Sequence, residues 1–71
     1  ELLASSRVQG RDGYIMIEPA TAIETSVTDM MGRIIYHDRI TNKVQIPVSE
    51  GLYLVRLSNN EKAVTVKVIV R

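Results

Sequence analysis

The stretch Gly51–Arg71, "GLYLVRLSNNEKAVTVKVIVR", decides the fold. It holds two apolar runs around a polar tip. In the second run Val64, Val66, Val68 and Val70 alternate with Thr65, Lys67, Ile69 and Arg71. A period of two puts each set on its own face of a strand, one buried and one mostly wet. In the first run Tyr53, Val55 and Leu57 alternate in the same way with Leu52, Leu54 and Arg56. Between them lies "SNNEK", where Asn59-Asn60 suits the left-handed conformations of a tight hairpin turn. The stretch reads as a β-hairpin with two long arms. Its second arm keeps full strand character up to Arg71, although terminal residues ordinarily fray.

The preceding residues carry the same period. "RVQGRDGYIMI" is a shorter hairpin with Gly10 and Gly13 bracketing its turn, and Pro19 ends its second arm because it cannot donate to a ladder. "IETSVTD" places Ile23, Thr25 and Val27 on one face. "DMMGR" turns the chain, with the Asp29 carboxylate accepting from amides ahead of it and Gly32 supplying positive φ. Met30 and Met31 are expected to cover one end of the core. "RIIYH" is strand again, and Asp38 to Lys43 reads as a polar connection. "VQIPV" sets Val44, Ile46 and Val48 on one side, and Pro47 argues for an edge position. About seven short strands with regular turn signals and no helical window predict an all-β fold, a small immunoglobulin-like antiparallel β-sandwich. Val64, Val66, Val68, Tyr53, Val55, Ile46 and Ile15 are the expected interior. "SEGLYLV" resembles the tyrosine corner of such sandwiches, in which Tyr53 follows the turn residue Gly51 and its hydroxyl bonds back to the corner backbone.

Composition bounds the rest. The 71 residues fit one small domain, residues 1–71, and the start at Glu1 rather than Met reads as a piece of a longer protein. No cysteine is present, so disulfides and thiolate metal sites are excluded, and the core must be apolar packing alone. Net charge is +1, far from the footprint of a nucleic-acid binder. Residues 1–36 carry three cations and five anions, and residues 37–71 carry six cations and three anions, so the second half is mildly basic. No apolar run approaches the ~20 residues of a membrane helix.

Few residues suggest chemistry. His37 is the sole histidine, beside Asp38, and reads as a strand-end surface residue, since one histidine without clustered carboxylates cannot close a metal site. No serine lies in a G-x-S-x-G elbow, and no glycine set forms a phosphate loop. No catalytic, cofactor or metal residues are assigned, and the expectation is a protein that is not an enzyme.

Three stretches taken together carry a family resemblance: "VTDMMGR" at 27–33, "GLYLVRL" at 51–57 and "KVIVR" at 67–71. In order and spacing they resemble the C-terminal sorting domains of type IX secretion cargo in Bacteroidetes, gingipain-type proteins among them. That family shows a D-x-x-G-R turn, a G-x-Y strand and a terminal K-x-x-V-K/R strand. By position the resemblance carries over to Asp29, Gly32 and Arg33, to Gly51 and Tyr53, and to Lys67, Val70 and Arg71. It covers the chain from about Ser6 onward, although the P-N-P stretch that opens many members is missing.

The resemblance implies an address. Such a domain folds in the periplasm as an immunoglobulin-like sandwich and takes its parent across the outer membrane through the type IX translocon, to the cell surface or beyond. Outer-membrane shuttle and sortase proteins are the implied partners, and the sortase can remove the domain and link the parent to anionic lipopolysaccharide. The outward row Thr65, Lys67, Ile69 and Arg71 is what a receptor would meet, so Lys67, Ile69, Val70 and Arg71 are the expected recognition residues. The exposed edge of such a strand also favours a strand-exchanged homodimer of the isolated domain. The alternative is a retained immunoglobulin-like module of a surface or secretion-machinery protein that binds protein or glycan. With only three Tyr and no Trp or Phe, aromatics for a glycan platform are scarce.

Overall fold

A computed structural model describes residues 6–71. Seven strands form where the apolar period of two runs: β1 (Arg7–Gly10), β2 (Tyr14–Glu18), β3 (Ile23–Asp29), β4 (Ile34–Ile40), β5 (Val44–Pro47), β6 (Gly51–Ser58) and β7 (Ala63–Val70). They make two antiparallel sheets, one of order β1-β2-β5 and one of order β4-β3-β6-β7. This is the sandwich that the alternation predicts. The fourth strand pairs with the third, on the sheet that carries the last two strands, as the added C′ strand does in variable-type immunoglobulin sandwiches.

The inward residues of both sheets close a single apolar core. Ile15 and Ile17 of β2 meet Ile23 and Val27 of β3, Tyr53, Val55 and Leu57 of β6, and Val68 and Val70 of β7, with Ile40 and Ile46 completing it. All are buried. Pro47 lies on β5, at the edge of the smaller sheet, where its missing N–H costs no ladder bond. β2 stops at Glu18, just before Pro19. Thr25 is the one buried polar side chain among the described residues, and its hydroxyl has no hydrogen-bond partner.

Four expectations are corrected. Val64 is not interior but 37% exposed, and Val66 is only half-buried, because β7 is the outer strand of its sheet; Leu57, opposite Val64 on β6, stays buried. Met30 and Met31 cover nothing: they are 58% and 82% exposed at the tip of the β3–β4 turn, which projects beyond the core. The polar segment from Asp38 is not a connection until Thr41, since β4 runs on to Ile40. An edge strand tolerates charge, and Asp38 and Arg39 stand opposite Thr25 and Glu24 while Ile40 returns to the core. His37 consequently lies within β4 and not at its end. Finally, Asn59 and Asn60 are not left-handed, because no residue other than glycine has positive φ among the described residues. The β6–β7 loop is longer than a two-residue turn. It is closed by the Asn59 amide donating to the Lys62 carbonyl, while the Asn59 carboxamide oxygen accepts from the Glu61 and Lys62 amides at 2.8 and 2.7 Å.

Candidate recognition strand and its seam

The valines, threonine and isoleucine of β7 are β-branched residues that suit a pleated, half-buried surface. The register with β6 sets Leu52 opposite Ile69, Leu54 opposite Lys67 and Arg56 opposite Thr65 on the outer face. Lys67, Ile69 and Arg71 are exposed there, with Ile69 at 64%. Val70, expected in the recognition set, is only 1% exposed and faces the core. In the folded domain its part is packing.

Arg71 follows β7, yet its backbone is held. Its amide donates to the Arg11 carbonyl at 3.2 Å, and its carbonyl accepts from the Gly13 amide at 2.8 Å. Two bonds reaching to either side of Asp12 form the parallel ladder pattern. The loop after β1 therefore lies alongside the end of β7 in parallel and draws the two sheets together at this corner. Gly13 is tied in further, since its carbonyl accepts from the Val48 amide at 3.1 Å. One residue position makes this seam possible. A Cβ on Gly10 would lie 2.0 Å from the Ile69 carbonyl oxygen and 2.7 Å from its carbon, so β1 and β7 touch backbone to backbone.

The other two motifs lie at the same end of the larger sheet. Asp29 pairs with Tyr53 across β3–β6, and Tyr53 pairs with Val68 across β6–β7. One Asp29 carboxylate oxygen accepts from the Met31 and Arg33 amides at 2.9 and 3.0 Å, and the other accepts from Arg33 Nε at 2.9 Å. Gly32, at φ +86°, supplies the left-handed residue that lets the backbone close from Asp29 to Arg33. The Arg33 amide above all, with the Arg33 guanidinium and the Met31 amide, holds the Asp29 carboxyl below its ordinary range, against an opposing effect of burial. The Tyr53 hydroxyl donates to the Ser49 carbonyl at 2.7 Å, fixing the corner between β5 and β6. Asp29, Arg33, Ile35, Pro47, Val48, Ser49 and Tyr53 line one shared groove.

His37 Nε2 is 3.9 Å from a Glu24 carboxylate oxygen on the exposed outer face. Among the described residues no three His, Cys, Asp or Glu side chains converge as a metal site would require. Nearby, burial and then the charge of Asp38 push the Tyr36 hydroxyl pKa up. What sequence reading missed is the loop Arg11–Gly13 as the partner of Arg71. Its residues announce a hairpin turn, and a long-range backbone contact leaves no local pattern.

The domain is thus a small sandwich whose strand β7 presents Lys67 and Ile69 outward. The chain belongs to the secretion system C-terminal sorting domain family, whose profile matches residues 11–71. The family is that of type IX secretion, and membership supports a sorting-signal role, a non-catalytic module and export toward the outer membrane or cell surface. The fold is similar to part of PorZ, described as an essential bacterial surface component of the type IX secretion system of Porphyromonas gingivalis. The TM-score is 0.76 at 19% identity, over 99% of this chain and 12% of that one. The chain thus spans a small fraction of that protein, and at this identity the likeness speaks for the fold alone. No curated protein matches the chain in sequence.

Proposed function

We propose that residues 1–71 are one sorting domain of a longer secreted protein, and that the outward row of β7 is the part a translocon receptor reads. The observation that carries this reading is the presentation of Lys67, Ile69 and Arg71 on a strand held on both sides, by β6 and by the loop after β1. A receptor then meets side chains in fixed positions and loses little affinity to ordering them. Val70 supports the row from beneath. On this reading the domain folds in the periplasm and engages the outer-membrane shuttle and sortase proteins. Its parent ends at the surface, released from the domain and joined to anionic lipopolysaccharide, or is secreted.

The test is a fusion of residues 1–71 to a neutral periplasmic reporter in a type IX-competent bacterium. The unaltered fusion reaches the surface. Lys67→Ala with Arg71→Ala, both exposed, shifts stability by only ~0.5 kcal/mol or less each, yet the folded reporter accumulates in the periplasm. Normal display of that variant at unchanged melting temperature overturns the assignment of these cations.

A further inference from the structure

We infer that the recognition surface does not stop at β7 but continues across the seam onto the first hairpin, as a composite groove that takes an acidic, partly apolar peptide segment of a partner protein. The inference rests on the reading of β7 just given and extends it to residues assigned so far only to a turn.

The groove is lined by Gly10, Arg11, Asp12 and Tyr14 on one side and by Ile69 and Arg71 on the other. Its floor is the contact of Gly10 with the Ile69 backbone, and its end is closed by the two hydrogen bonds of Arg71 to the Arg11–Gly13 loop. Arg11 and Arg71 are thereby fixed at their backbones on opposite walls, and both are exposed. Among the described residues neither guanidinium is in an ion pair; that of Arg11 donates only to the Gln9 side chain. Two forked donors without carboxylate partners match carboxylates in geometry and charge.

The rest of the lining narrows the occupant. Asp12 stands between the two arginines, so a dense polyanion meets a like charge there, whereas a peptide can offer an amide or a cation to it. Ile69, 64% exposed, and the half-buried Tyr14 present apolar surface beside the charges. A segment carrying glutamate or aspartate next to an aliphatic residue satisfies Arg11, Arg71, Ile69 and Tyr14, and can turn a backbone amide toward Asp12. A phosphoryl group satisfies only the two arginines.

Two experiments test this. In solution, the domain is titrated with a synthetic peptide of alternating glutamate and valine, with the same peptide carrying glutamine, and with inorganic phosphate, while backbone amide shifts are followed. The glutamate peptide is expected to shift Gly10 to Tyr14 and Ile69 to Arg71, the glutamine peptide to leave them in place, and Arg11→Ala to weaken binding severalfold. Absence of shifts with the glutamate peptide overturns the inference, as does a stronger response of the same residues to phosphate. In the export fusion, Arg11→Ala is expected to lower surface display as Arg71→Ala does, at unchanged melting temperature, with Arg11→Lys restoring it only in part, since lysine keeps the charge and loses the fork. Normal display of Arg11→Ala alongside failed display of the Lys67→Ala, Arg71→Ala variant overturns the composite groove and leaves the reading of β7 standing. Normal display of both Arg11→Ala and the Lys67→Ala, Arg71→Ala variant removes both.

Discussion

Replacing Gly10 by alanine sets two effects of opposite sign against each other. Gly10 is not among the positive-φ glycines, so its backbone is one an alanine can adopt. On chain entropy alone, Gly→Ala would then stabilise by about 0.4–1 kcal/mol. The new methyl carbon, however, would lie 2.0 Å from the Ile69 carbonyl oxygen, and that neighbour is backbone with no rotamer to change. β1 and β7 must separate by more than an ångström to admit it. Overpacking of this kind costs roughly 1–3 kcal/mol. Separation also stretches the Arg71 bonds to Arg11 and Gly13, each worth about 0.5–1.5 kcal/mol. The clash wins, and a net loss of about 2–4 kcal/mol is expected, a large share of the stability of a domain this size. For so small a domain each kcal/mol moves Tm by roughly 4–8 °C. Urea unfolding measures the loss, and hydrogen exchange at the Gly13 amide locates it. A variant as stable as the parent, with the Gly13 amide equally protected, would refute the seam as a rigid contact.

Three further outcomes are expected. Tyr53→Phe removes the donor to the Ser49 carbonyl and costs ~1 kcal/mol in chemical denaturation; a change near zero would show that the corner bond contributes nothing. Thr25→Val keeps the shape of the side chain and removes a buried, unpartnered hydroxyl, so it stabilises by about 1 kcal/mol, and a loss of stability in urea unfolding would reveal a partner for that hydroxyl. The Asp29 pKa is held below its ordinary value of 3.8, so its carboxylate contributes stability that is present above that pH and disappears as pH falls through the lower folded-state value. The parent is therefore more stable than Asp29→Asn at neutral pH, the difference closes on acidification below 3.8, and a pH-independent gap in Tm would exclude the linkage.

The alternation in β2, β3, β6 and β7 was legible because each strand has one covered face, and the period of two marks that face without reference to anything distant. Where cover runs out, the pattern misleads. Val64 continues the valine series of β7 but lies on the outer strand of its sheet, where its partner Leu57 is covered and it is not. Asp38 and Arg39 look like loop because charge is rare in central strands, yet β4 is an edge. The β6–β7 loop was placed but not typed, since Asn59 closes it through its carboxamide while keeping negative φ. In the candidate site, period two separates the outward Lys67, Ile69 and Arg71 from the inward Val70. The family pattern alone groups Val70 with its neighbours and does not register that it is buried. The seam was not legible at all, because a glycine needed for a contact 59 residues away looks the same in sequence as one needed for a turn.

The contact of β1 with β7, continued by the Arg11–Gly13 loop alongside Arg71, sets the direction in which the chain enters the fold. Gly10 lies at the Arg71 corner, and Arg7 lies at the other end of β1, about 10 Å away at ~3.3 Å per residue. β1 points toward that corner, so Arg7 and Arg71 lie at opposite ends of the seam. On the reading proposed above, a polypeptide joined before Arg7 would enter the fold at the end away from the Arg71 corner.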